Sequence, residues 1–273
     1  MSSSINQPAN EPTFDRRAAI RPSDPALEAM IASGAVDVLF QPWITLRSGE
    51  VVGAEALARS TLERDASTLF RRARRAGLAE AVSKLVQAKA LAQAARWSGP
   101  LAGLGLSLNL MPAEIACDGH DDWLLAEMAR VGFDPARLTV EITEHALLVG
   151  HDAVAGRLAK LRSAGVKIAL DDFGSGYASL AYLTSLPLDM IKLDRSLVMG
   201  LVAGRRDRIV MRAMIRLAQD LELKTLVEGV EESGQQALLA GWGCDLYQGF
   251  LGAAALNEAG LALFVAESNI RAA

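Results

Sequence analysis

Eight short runs of β-branched and aliphatic residues recur along this chain, most of them separated by a longer amphipathic stretch. The runs span 38–41, 51–57, 105–109, 138–142, 167–171, 190–193, 224–228 and, more weakly, 245–250. Helical apolar spacing fills 78–97, 121–131, 151–164, 207–221, 233–240 and 258–267. Such alternation makes a mostly parallel sheet, because parallel neighbours need a crossover long enough to carry a helix. Eight strands of this kind fit an α/β fold, a TIM-like (β/α)8 barrel. The link between the first two runs breaks the pattern. Residues 45–50 hold a Ser48-Gly49 turn pair and are too few for a crossover, so the first strand is expected to run antiparallel to the second. The expected architecture is a modified barrel with one reversed strand.

Of the 273 residues, 51% are hydrophobic and 22% charged, enough apolar material for one large core. Residues 1–24 are rich in Ser, Asn and Pro without apolar periodicity and read as a flexible N-terminal tail, leaving 25–273 as one barrel domain. A net charge of −4 offers no field for a nucleic-acid polymer. The basic run Arg71, Arg72, Arg74, Arg75 reads as the solvated face of a helix, or as a docking surface for a regulatory protein partner. Two cysteines, Cys117 and Cys244, with no CxxC spacing speak against a disulfide scaffold or a zinc site, and a reducing cytoplasm is the expected compartment. No run of about 18 apolar residues and no secretory leader is present, so neither a membrane span nor export is expected.

The chemistry is suggested by the polar residues that interrupt or end the strands: Glu55, Asn109, Glu141, Asp171, Asp172, Lys192, Glu228 and Gln248. In a β/α barrel the C-terminal strand ends converge on one face, where active sites are built. Five carboxylates brought together there would lose hydration and repel one another unless cations neutralise them. All-oxygen ligands suit Mg²⁺ or Mn²⁺, and the histidines His120, His145 and His151 form no zinc cluster and read as surface or core residues. Adjacent Asp171 and Asp172 reach one site if the strand ends there, since leaving the alternating pleat lets both side chains face the same way. Two ions would then bind a phosphodiester oxygen and acidify a water, with Lys192 as a point charge beside them. Ca²⁺, larger and more loosely held, is expected to bind and inhibit. The loop 173–180, with Gly174 and Gly176, is suited to moving over a ligand.

These residues resemble the EAL-domain family, bacterial phosphodiesterases that open cyclic di-GMP to linear pGpG. The resemblance covers residues 27–266. It rests on Phe40-Gln41-Pro42, Glu55-Ala56-Leu57-Ala58-Arg59, Asn109 and Glu141-Ile142-Thr143-Glu144. It continues through Asp171-Asp172-Phe173-Gly174, Ile191-Lys192-Leu193-Asp194-Arg195, Glu228-Gly229-Val230-Glu231 and Gln248-Gly249-Phe250. It implies that Glu55, Asn109, Glu141 and Asp171 hold one metal, and that Asp171, Asp172 and Glu228 hold the second. It makes Lys192 the residue orienting the nucleophile, Gln248 a support for metal-bound water and Glu144 an anchor of the loop after Asp172. Gln41, Arg59, Leu57 and Asp194 would contact the substrate. A homodimer formed near that loop and its helix is also implied.

Two stretches depart from the family pattern. Residues 60–75 are shorter and more basic than the family's segment, which implies a different substrate entry. Gly252-Ala253-Ala254-Ala255 replaces a stiff cationic stretch beside a guanine, which implies weaker base binding. The expected activity is metal-dependent cyclic di-GMP hydrolysis. The alternative is a weakly active or inactive domain serving as a cyclic di-GMP receptor or a partner-regulating module.

Overall fold

A computed structural model describes residues 23–63, 65–143, 151–175 and 180–272. Eight strands close a barrel in sequence order: β1 (Val36–Thr45), β2 (Val51–Ser60), β3 (Gly105–Leu110), β4 (Leu138–Thr143), β5 (Lys167–Phe173), β6 (Met190–Leu193), β7 (Lys224–Val227) and β8 (Leu246–Tyr247). β1 is antiparallel to both its neighbours, β2 and β8, whereas every other adjacent pair is parallel. The reversed first strand is thus present.

The helices are α1 (Pro25–Ser33), α2 (Ala66–Ala76), α3 (Ala79–Ala94), α4 (Pro112–Ala116), α5 (His120–Val131), α6 (His151–Ser163), α7 (Leu180–Ser185), α8 (Arg205–Asp220), α9 (Ser233–Gly241) and α10 (Glu258–Ala272). The main core lies between this helical layer and the outside of the barrel. On β3, Leu106, Leu108 and Leu110 join that core while Ser107 and Asn109 alternate with them and face inward. A smaller cluster of Trp43, Ala169, Met190, Leu226 and Leu246 fills the barrel interior. Gly53 makes room for it: a Cβ there would lie 3.3 Å from the Trp43 ring and 3.2 Å from the Gly105 carbonyl oxygen.

Local chemistry sets the ends of the two N-terminal helices. Asp24 caps α1 by accepting from the Leu27 N–H (3.1 Å), and Pro25 supplies a preset φ at the first position. Asp65 caps α2 through the Thr68 N–H (3.0 Å). The arginine run is not a uniform solvated face. Arg72 is half-buried and bonded to Asp24 (2.6 and 2.9 Å) and Glu63 (3.2 Å), which ties α1 to α2 and to the loop after β2.

The last strand is shorter than its sequence suggests. Past Tyr247 the backbone turns toward the loop after β7, where the Val230 N–H donates to the Gln248 carbonyl (3.1 Å) and the Leu251 N–H donates to the Val230 carbonyl (3.0 Å). Asp245 precedes the strand and accepts from the Thr225 N–H (2.8 Å) and hydroxyl (2.9 Å).

Candidate active site

Strand register collects the polar residues. Asn109 pairs with Glu141 across β3 and β4, Thr143 with Asp171 across β4 and β5, and Lys192 with Leu226 across β6 and β7. Glu228 follows β7 directly, its N–H donating to the Leu193 carbonyl (3.0 Å). The fully buried Lys192 ammonium lies 2.6 Å from Glu228, 2.7 Å from Glu141, 3.1 Å from Asp171 and 3.6 Å from Glu55. Four carboxylates, three from β2, β4 and β5 and one just past β7, thus surround one amine.

Asp171 and Asp172 reach this site by a different route from the expected strand end. β5 continues to Phe173, and its pairing with β6 slips between Leu170 and Phe173. Asp172 takes φ +57, the left-handed region that Asp tolerates better than most residues, and the resulting bulge turns its side chain toward its neighbour's. One carboxylate oxygen each from Asp171, Asp172 and Glu228 lie within 4.8 Å of one another.

Hydrogen bonds hold the surrounding side chains. Glu55 accepts from the Asn109 amide (2.7 Å) and the Gln248 amide (2.8 Å). Gln248 also donates to Gln41 (2.9 Å) and accepts from the Trp43 indole N–H (2.9 Å). Ser107 donates to Glu141 (2.5 Å). Sequence reasoning missed Trp43 and Ser107, although each stands two residues from a chosen one, Gln41 and Asn109, on the same strand face.

The electrostatics are those of a site short of positive charge. Burial pushes Glu141 well above the usual carboxylate range, and the Glu55 charge adds to this against the pull of Lys192. Burial raises Glu228 to about 7, with Lys192 opposing and Asp171 and Glu55 reinforcing. Loss of hydration, then the charges of Asp171 and Asp194, raise Asp172. Burial would raise Glu55 too, but Lys192 and the amides of Gln248 and Asn109 hold it below its ordinary value. Burial works against the Lys192 charge, yet the surrounding acids, Asp171 foremost, keep its pKa well above the ordinary value.

One ammonium cannot balance five carboxylates. The buried Asp171 Oδ1 lies at ion-pair distance from Lys192 but has no hydrogen bond. An all-oxygen donor set with an unsatisfied buried carboxylate oxygen fits hard divalent cations, and the cluster contains no Cys or His that would favour zinc.

The other chosen residues lie nearby or elsewhere. Leu57 lines a cavity together with Glu55. Arg59, opposite Asp37 on β1, donates to the Ala58 carbonyl (2.8 Å). Asp194 accepts from the Ser196 N–H (3.0 Å) at the turn after β6. Glu144 and His145 fall outside the described residues, as does the stretch 176–179 of the loop. His120 is buried, Cys117 exposed and Cys244 buried, and none of them joins the site. No described helix is long and apolar enough to cross a membrane.

The reversed strand, the closed barrel and the acid-ringed lysine define a β/α barrel with an acidic centre whose donors suit cations. The EAL domain family matches residues 24–255, and the chain belongs to that family. It is 36% identical over 246 residues to the cyclic di-GMP phosphodiesterase NbdA of Pseudomonas aeruginosa, covering 88% of this chain and 31% of that protein. The solved PaMucR phosphodiesterase in its c-di-GMP complex superposes with a TM-score of 0.79 at 29% identity, covering 86% of this chain and 99% of that one. The Klebsiella pneumoniae BlrP1 manganese/cy-diGMP complex gives 0.72 at 28% identity, covering 81% of this chain and 56% of that one. The chain spans about a third of the length of the curated relatives it matches.

Proposed function

We propose that this chain hydrolyses cyclic di-GMP to linear pGpG, and the observation that carries the reading is the ring of Glu55, Glu141, Asp171 and Glu228 around the Lys192 ammonium. Its EAL membership and its likeness to proteins described as cyclic di-GMP phosphodiesterases supply the substrate class. Glu55, Asn109, Glu141 and Asp171 would hold one Mg²⁺ or Mn²⁺, and Asp171, Asp172 and Glu228 a second. Bound there, the ions would polarise a phosphodiester oxygen and acidify a water.

The chain's own groups do the rest. Lys192 presents its ammonium to developing negative charge, held rigidly by the acids around it. Asn109 and Gln248 orient Glu55 from two sides, so its lone pairs point in fixed directions. Ser107 does the same for Glu141. Arg59, Leu57 and Asp194 are the proposed substrate contacts on the rim. The reading includes a homodimer, supported by the exposed apolar side chains Met199, Val202, Ile209 and Val210 on and just before α8, and a cytoplasmic site of action.

One observation favours a weaker enzyme or a receptor. Gln41, one of the proposed substrate contacts, is occupied at both ends, accepting from Gln248 (2.9 Å) and donating to the Ala253 carbonyl (3.1 Å) in the stretch that departs from the family pattern. A single assay separates the readings: purified protein, cyclic di-GMP and Mg²⁺ or Mn²⁺, followed by chromatography for pGpG, with Asp171→Asn and Glu55→Ala as controls. Turnover that both variants abolish supports hydrolysis. Tight binding without turnover supports the receptor and ends the hydrolase reading.

A further inference from the structure

A cavity of about 880 Å³ opens at the end of the barrel opposite the acids, where β2 to β8 begin and the reversed β1 ends. That volume lies near the upper end of ligand pockets, roughly 300–1,000 Å³, and would hold an organic molecule of nucleotide size. Its inner wall is apolar: Trp43, Met190 and Leu246, members of the cluster that fills the barrel interior, line it. None of the proposed metal ligands does.

Strand alternation places charge around its mouth. Lys167 stands two residues before Ala169 on β5, and Lys224 two before Leu226 on β7. Ala169 and Leu226 belong to the interior cluster, so the period of two turns both lysines to that inner face, and both line the cavity. Arg47, from the turn between β1 and β2, joins them. Other charges on the wall are spent. Arg162 pairs with Asp189 (2.9 Å), Arg137 donates to the Leu104 carbonyl (3.0 and 2.8 Å), and Asp245 accepts from Thr225. Arg47, Lys167 and Lys224 have no ion-pair or hydrogen-bond partner among the described residues, and of the acids on the wall Glu222 alone is equally free there. Three free cations against one free acid leave two positive charges, which match a phosphomonoester of about −2 near neutral pH.

We propose that this floor cavity is a second ligand site, taking an organic phosphate: the head group lies among Arg47, Lys167 and Lys224, and an aromatic or apolar body lies inward against Trp43, Met190 and Leu246. The body distinguishes such a ligand from free phosphate, since the apolar wall offers burial that a bare ion cannot use. Trp43 extends the effect of occupancy. Its indole N–H holds Gln248, which bonds Glu55, so a ligand seated beneath the ring bears on the residue that orients a proposed metal ligand. The site stands apart from the acid cluster and would hold its ligand whether or not the chain hydrolyses cyclic di-GMP.

The test is calorimetric titration of the full chain with AMP, phenyl phosphate and inorganic phosphate, in EDTA so that the unneutralised acids at the other end repel all three. At least one of the two organic phosphates should bind about tenfold or more tighter than inorganic phosphate. Lys167→Glu and Lys224→Glu should each weaken that binding about tenfold or more, and Lys167→Arg by less. Arg75→Glu, a like charge change on α2, should alter it less than about twofold. Binding should also change the tryptophan fluorescence, and Trp43→Phe should lose most of that change. Organic phosphates that bind no tighter than inorganic phosphate, or not at all, would leave the cations a solvated rim and overturn the site. So would unchanged binding in both lysine variants, losses as large in Arg75→Glu as in Lys167→Glu, or a fluorescence change that Trp43→Phe leaves intact. Circular dichroism confirms that the variants fold.

Discussion

The indole N–H of Trp43 donates to Gln248 Oε1 at 2.9 Å, which fixes the Gln248 amide with its nitrogen facing Glu55 and Gln41. Trp43 thereby carries order from the barrel interior to the candidate site. Replacing it with Phe removes the donor while keeping much of the ring. Turnover should fall about tenfold, equivalent to ~1.4 kcal/mol. Stability should fall by about 1–2 kcal/mol, for the lost hydrogen bond and altered packing. Steady-state kinetics and urea melts check both, and unchanged kinetics would show that Gln248 needs no such support.

Lys192 is the only cation among the described residues that touches the four carboxylates. Lys192→Met should lose about 3 kcal/mol in EDTA, since acids stripped of a buried partner repel one another. Saturating Mg²⁺ or Mn²⁺ should restore more of that loss than it adds to the wild type, because binding to the folded state alone stabilises it. A variant whose urea midpoint ignores metal would break the link between this cluster and cations.

Calcium tests the geometry separately. Its longer and looser coordination should support substrate binding but less than about a tenth of the Mg²⁺ rate. Brisk hydrolysis in Ca²⁺, measured as pGpG release, would count against closely specified ion positions.

Two buried groups away from the centre set opposing pH trends. Burial raises Glu114 from 4.5 to about 7, so the folded state holds a proton that the unfolded state has lost, and this contribution declines as pH rises across that window. Burial lowers His120 from 6.5 to about 4, so its contribution declines as pH falls across that window. Between 4.5 and 6.5 the two slopes oppose each other. Glu114→Gln should remove the first slope, so the variant's stability relative to the wild type should climb by on the order of 2 kcal/mol from pH 5 to 6.5, the acids around Lys192 contributing equally to both. A difference between variant and wild type that stays constant with pH in urea melts would refute the Glu114 assignment.

Asp24 has two separable jobs, capping α1 and pairing Arg72. Asp24→Asn keeps a capping oxygen and loses the charge, whereas Asp24→Ala loses both. The Ala variant should be less stable than the Asn variant by about 1 kcal/mol. Equal melting temperatures would mean the cap contributes nothing.

Much of this was legible in the chain. Polar residues at the ends of aliphatic runs marked the site because burying Glu141 or Lys192 needs a compensating neighbour, and such residues have no other reason to end a strand. The short 45–50 link forced β1 to reverse. Other features depended on distant contacts. The bulge at Asp172 follows from how Leu170 and Phe173 register against β6, which adjacent acids alone do not disclose. α1 escaped notice because only Leu27 and Met30 are buried on it, and its anchor Arg72 stands 48 residues away. β8 shrank to two residues because backbone partners around Val230 claimed the rest.

The reversal of β1 also changes where the start of the barrel stands. Val36 pairs with Ser60 at the same end of the barrel as the acids, while Thr45 pairs with Leu246 at the opposite end. In an all-parallel barrel the leading segment would arrive at the floor. Here Asp24 meets Arg72 of α2 and Glu63 at the acid-bearing end of the barrel. A force applied at α1 would therefore reach the acid-bearing end of the barrel before its floor.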